Sequence, residues 1–216
     1  MEIALIYRWA VFILLVLGLI LLMKHGVLTP FVFWSRIQYY TFSTFTLFFI
    51  WLGPTLFKAD IRYIVAAGLV TLSVMYHIIV RPGAIRTHRL NDISYEHFSF
   101  YNYIFHYFIP VLMTADYLFF VDKTELHWHI MISWMIYPAL YVVFVYWRGW
   151  GTIVTHGTSH LYPYTFMDPR MNDVFSITKG CLKVGFQFFL IGICVYAAGK
   201  GLYLLDIPPA AWTYNG

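Results

Sequence analysis

The chain has 216 residues, 61% of them hydrophobic, 21% aromatic and 11% charged, with a net charge of +4. A soluble domain carries about 25% charged residues, and a mean hydropathy of +0.68 leaves too little polar surface for a water-solvated fold. The expectation is an all-α, polytopic membrane protein, with cations near the ends of apolar runs marking topology and headgroups and no nucleic-acid partner.

A bilayer-crossing helix needs about 20 apolar residues. Six runs are that long, roughly 4–23, 37–57, 63–81, 98–121, 127–147 and 174–205. They predict a bundle of about six transmembrane helices forming one integral membrane domain over 1–216. Residues 9–23 (WAVFILLVLGLILLM) are followed by KHG, not by a small-residue cleavage site, so a retained first helix is expected. The last run is interrupted by Lys179, Lys183 and several glycines, which puts its expected membrane span from about residue 184. Between the runs lie KHGVLTP, FKADIR, RPGAIRTHRLNDISYE, VDKTE and a long loop over 148–173.

Six crossings return both termini to one face. The opposite face then receives loops 24–36, 82–97 and 148–173. It holds Lys24, Arg36, Arg81, Arg86, Arg89, Arg148, Arg170, Lys179 and Lys183, while the terminal face holds Arg8, Lys58, Arg62, Lys123 and Lys200. Nine cations against five make the opposite face the expected cytoplasmic side. An integral, multi-pass membrane location is expected.

The second run opens with IQYYTFSTFTLFF (37–49), which places Thr41, Ser43, Thr44 and Thr46 in its first two turns. Hydroxyls in membrane helices ordinarily back-bond to the i−4 carbonyl. A threonine becomes a nucleophile only when a base takes its proton. The candidate base is His106, in YNYIFHYFIPVLMTADYLFF, about 12 Å along the fourth helix. An ionisable group at that depth faces a bundle interior or wet cavity. Pro110, at i+4, removes the N–H that the His106 carbonyl would accept, so a kink is expected there. The competing reading is a histidine that only glues helices together.

His77, in SVMYHIIVRPG, reaches the same face; it reads first as a headgroup-level histidine, with lining of the same cavity as the alternative. Asp116 lies about 15 Å beyond His106 on one helix. That is too far to complete a triad, and an end-capping role is expected. His156 and His160, in HGTSH, have an i, i+4 metal-ligand spacing but no acidic partner in register. HWH, with His127 and His129 around Trp128, fits an aromatic belt on the terminal face. Cys181 and Cys194, on one apolar helix, are about 20 Å apart, too far for a disulfide.

One ordered set of residues goes further. It runs from Thr41 early in the second helix, through His106 and Pro110 in the fourth and WMIYPALYVVFVYWRG (134–149), to a loop with YPYTF (162–166) and a downstream Asp-Pro. The set resembles the androgen-induced-gene-type membrane proteins, and more closely their bacterial six-helix relatives, over about residues 36–200. The resemblance implies an intramembrane threonine hydrolase of lipid esters, of the fatty-acid ester of hydroxy fatty acid type. In that reading Thr41 is the nucleophile, His106 is its base, and no metal or other cofactor is required. Asn102, Tyr137 and Tyr162 are candidate oxyanion donors. Ser43, Thr44 and His77 are candidate substrate contacts. Three other classes remain. They are a non-enzymatic lipid-binding or scaffold protein, a metal-dependent membrane hydrolase using His77, His106, His156 and His160, and a small transporter, for which no inverted repeat is visible.

Overall fold

The structure is a computed structural model that describes residues 2–24, 59–80, 100–124, 126–156, 162 and 164–205. Among these the secondary structure is entirely helical. Helix α1 covers Glu2–Lys24. Helix α2 covers Ala59–Met75 and runs on into a π-helical turn, Tyr76–Val80. Helix α3 is composite: α-helical over Phe100–Tyr103, π-helical over Ile104–Phe108 and α-helical over Ile109–Phe120. A short α4 (Ile130–Ser133) leads into α5 (Ile136–His156). A 3-10 turn at Thr165–Met167 precedes α6 (Val174–Leu204).

Three helical stretches are long and apolar enough to cross a membrane: Ile3–Leu21, Ile130–Gly149 and Val174–Leu204. Two shorter apolar stretches, Arg62–Ile78 and Ile104–Phe120, lie between them in sequence. The described residues therefore hold three such helices, against the six expected from apolar run length. The expected span at 37–57 lies outside the described residues.

One expected boundary is corrected. The loop expected from residue 148 begins later, because α5 stays helical through Gly149 and Gly151 to His156. Glycine weakens a helix by only about 1 kcal/mol. Gly149 is also the surface on which the Tyr162 ring rests, and a Cβ there would come within 2.8 Å of that ring. Helix α6 starts at Val174, where the run expected over 174–205 begins, and continues unbroken past Lys179, Lys183 and its glycines. Its N-cap is Asp173, whose carboxylate accepts from the Ser176 N–H at 2.8 Å, satisfying one of the orphan donors of the first turn.

Packing follows from the apolar pattern. Ala4, Val11 and Leu15 form a buried stripe on α1, while Ile6, Ile13 and Ile20 face outward. Helix α2 is central: Tyr63, Val65, Ala66, Ala67, Leu69 and Thr71 are all at most 1% exposed. Helix α3 runs antiparallel to both, since Asp116 meets Arg8 and Arg62 while Phe105 meets Gly18 of α1. Helices α1 and α2 thus run parallel and start at the same end of the bundle.

Helix α6 closes against this group through Gly192. The Tyr63 hydroxyl donates to the Gly192 carbonyl at 2.9 Å. The buried Trp134 indole fills the space a side chain at 192 would need and stacks on Phe188 at 6.3 Å. Only glycine permits that approach.

The terminal end is held by charge. Asp116 is 1% exposed; its Oδ1 accepts from Arg8 Nε at 2.8 Å, and its Oδ2 lies 3.7 Å from Arg62. The expected end-cap is therefore corrected: this carboxylate ties α1, α2 and α3 together one turn before α3 ends. Lys123, placed by sequence in an open loop, is buried instead. Its Nζ donates to the Leu118 and Val121 carbonyls at 2.8 and 2.7 Å, capping α3 where its last carbonyls have no helical donors. Burial pushes this ammonium down to about 8, against the pull of Asp122 and Asp116. Lys200 of α6 donates to the Lys123 carbonyl at 2.8 Å.

Candidate functional site

Toward the other end of α2 and α3, each helix carries a π turn, which fits one extra residue into a helical turn. On α3 the cause is legible. Pro110 has no N–H, and immediately before it the chain widens so that the Ile109 N–H reaches back five residues to the Ile104 carbonyl. The break expected at Pro110 takes this form. The Pro110 carbonyl in turn accepts from the Thr114 hydroxyl at 2.7 Å.

The two π turns face each other. The Tyr76 and His106 rings stack with centroids 3.9 Å apart and planes 30° from parallel. Tyr107 meets Tyr76 edge-on at 6.1 Å, and Tyr103 lies 5.6 Å from Tyr107. His77 Nδ1 is 3.1 Å from the Tyr107 hydroxyl; which atom donates depends on the imidazole tautomer. Burial is graded across the group. Tyr76 is 5% exposed, His106 and Tyr107 are half-buried, and His77 is exposed. The group therefore runs from the packed interior to the surface.

The structure brings two of the sequence candidates, His106 and His77, onto these facing turns. Tyr137 is half-buried against the core near the start of α5. Tyr162 sits in a separate cluster with Tyr146, at 5.5 Å, and Gly149. In that cluster the Tyr146 hydroxyl donates to the Met167 carbonyl at 2.8 Å. Asp168 accepts from Arg170 Nε at 2.9 Å and Nη2 at 2.6 Å. These bonds hold the Asp168 carboxyl below the usual carboxylate range, while burial raises the Tyr162 phenol. Asn102 belongs to the first segment of α3 and His156 is the last residue of α5. Thr41, Ser43, Thr44 and His160 lie outside the described residues. Among the described residues no three His, Cys, Asp or Glu side chains gather closely enough to hold a metal ion.

Two residues that the sequence reading passed over, Tyr76 and Tyr107, are central to the cluster. Their signal was a mirrored pair. Tyr76-His77 near the end of α2 and His106-Tyr107 near the start of α3 are the same dipeptide reversed, on two helices running in opposite directions.

A third feature is a buried hydroxyl. Thr114 and Thr178 back-bond to the carbonyls of Pro110 and Val174, as threonines in helices commonly do. Thr71, fully buried on α2, has no hydrogen-bond partner for its hydroxyl among the described residues.

Comparison with family models, with curated proteins and with solved structures finds no match.

Proposed function

We propose that the protein is an intramembrane hydrolase of lipid esters, with Thr41 as nucleophile and His106 as general base. One observation carries the structural side of this reading. The His106 imidazole is half-buried inside the helical bundle, against a buried tyrosine and next in sequence to Tyr107, whose hydroxyl meets the exposed His77. A base in that position is sheltered from bulk water, with polar groups beside it leading outward. The assignment of Thr41 rests on the resemblance of the ordered residue set. The parallel course of α1 and α2 agrees with the six-span reading: Lys24 and Ala59 stand at opposite ends of the bundle, as an intervening span at 37–57 requires.

In this mechanism the Thr41 Oγ attacks the ester carbonyl while His106 accepts the hydroxyl proton. The tetrahedral intermediate collapses, the acyl–oxygen bond of the substrate breaks, and His106 returns the proton to the departing alkoxide. Water then attacks the acyl-threonine. His106 takes a proton from that water and delivers it to the threonine oxygen as the fatty acid leaves. The acyl chains lie between apolar helices throughout.

The test is labelling of the purified protein with a lipid-tailed fluorophosphonate, read by mass spectrometry. The expected result is an adduct on Thr41 that disappears in His106→Ala. An adduct on another residue, or none on protein shown to be folded, overturns the assignment.

A further inference from the structure

We propose that Tyr76 is the positioning residue for His106, holding the imidazole face in the orientation that proton transfer requires. This rests on the hydrolase reading above, and assigns a role to a residue on a different helix from the base. Aromatic pairs generally place their centroids about 4.5–7 Å apart. The Tyr76–His106 pair is closer, at 3.9 Å, with the two planes tilted by 30°. Tyr76 is also the better fixed of the two. It is 5% exposed and flanked edge-on by Tyr107, whose hydroxyl contacts His77. Contact with a clamped ring narrows the orientations open to the imidazole.

The stack also acts differentially along the reaction. When His106 accepts the threonine proton it becomes a cation directly over the electron-rich face of Tyr76. Cations are attracted to that face. The contact is therefore tighter once the proton has moved than before, and an interaction of that kind acts on kcat, not on substrate binding. The ring is the functional part, so Phe preserves the role while Leu and Met abolish it.

The experiment compares wild type with Tyr76→Phe, Tyr76→Leu and Tyr76→Met in detergent, with a thermal midpoint for each to establish folding. Two quantities are read: turnover of a lipid ester, and the rate at which diethyl pyrocarbonate modifies His106, followed on its peptide by mass spectrometry. The expected pattern is near-wild-type behaviour for Phe. For Leu and Met, kcat falls about tenfold or more with KM within about twofold, and His106 is modified faster. Wild-type kcat in folded Leu or Met variants overturns the proposal, as does a Phe variant as impaired as Leu. Absence of turnover in the wild type removes the hydrolase reading and the catalytic role together. In that case the modification rates still judge the stack itself: unequal rates uphold the geometry, and equal rates across all four proteins refute it.

Discussion

The carboxylate of Asp116 and the guanidinium of Arg8, 108 residues apart in the chain, meet at 2.8 Å with the carboxylate almost wholly buried. Removing one partner of such a pair leaves the other charge uncompensated in an apolar setting. Asp116→Ala is expected to cost about 3–5 kcal/mol. Replacing the carboxylate and both of its cations with apolar residues, Arg8→Met and Arg62→Met with Asp116→Leu, is expected to cost less than Asp116→Ala alone. Unfolding of the three proteins in the same detergent, followed by circular dichroism, measures the difference. Equal losses would show that Asp116 stabilises the bundle by some other contact.

Gly192 and Gly201 stand nine positions apart on α6 and make opposite predictions. A methyl group at 192 would collide with the Trp134 indole and approach the Tyr63 hydroxyl, whereas one at 201 meets nothing within 4 Å. Gly192→Ala is expected to destabilise by about 1–3 kcal/mol, the usual cost of overpacking. Gly201→Ala is expected to be neutral or to stabilise by up to about 1 kcal/mol through helix propensity. Thermal midpoints of the two variants decide it.

The buried Thr71 hydroxyl is a cost without a visible return in the folded state, since unsatisfied buried polar groups are unfavourable by about 1–3 kcal/mol. Thr71→Val keeps the shape and removes the oxygen, so a higher thermal midpoint is expected. A lower midpoint would mean that the hydroxyl has a stabilising partner.

Lys123 gives a pH signature. Its ammonium is lowered from 10.5 to about 8 in the folded protein, so between those values the unfolded chain binds more protons than the folded one. Stability then rises with pH across that interval. Below about 8 both states are protonated and the group contributes no slope. The slope between pH 8 and 10 is expected to be smaller in Lys123→Met than in wild type. Equal slopes would mean that burial does not perturb this lysine.

Apolar run length made α1 and α6 visible in the sequence, because a stretch of that length has few other uses. It failed at the end of α5. There Gly149 and Gly151 read as loop punctuation, when Gly149 is in fact the flat surface under Tyr162. Asp116 was legible only as an end-capping acid; its burial and its partners were not, because a contact across 108 residues leaves no local pattern. The π turns were half legible. Pro110 announced a disturbance on α3, while nothing comparable in the sequence marks the turn at Tyr76–Val80. His106 and His77 were recognisable as candidates by depth and residue type. The clamp of Tyr76 and Tyr107 around them emerged only when two antiparallel helices were laid side by side.

The unbroken length of α6 has a consequence of its own. Thirty-one residues make a helix about 46 Å long, against a hydrocarbon layer of about 30 Å. A bilayer receiving it must either let it lean or let several turns project, and both depend on local membrane thickness. Both ends carry exposed apolar side chains: Val174 and Phe175, 81% and 74% exposed, at one, and Leu204, 79% exposed, at the other. Reconstitution into lipids of graded acyl-chain length should therefore change the tilt of this helix. Because Gly192 is locked to α2 through Tyr63, that tilt would be transmitted to the helix bearing Tyr76.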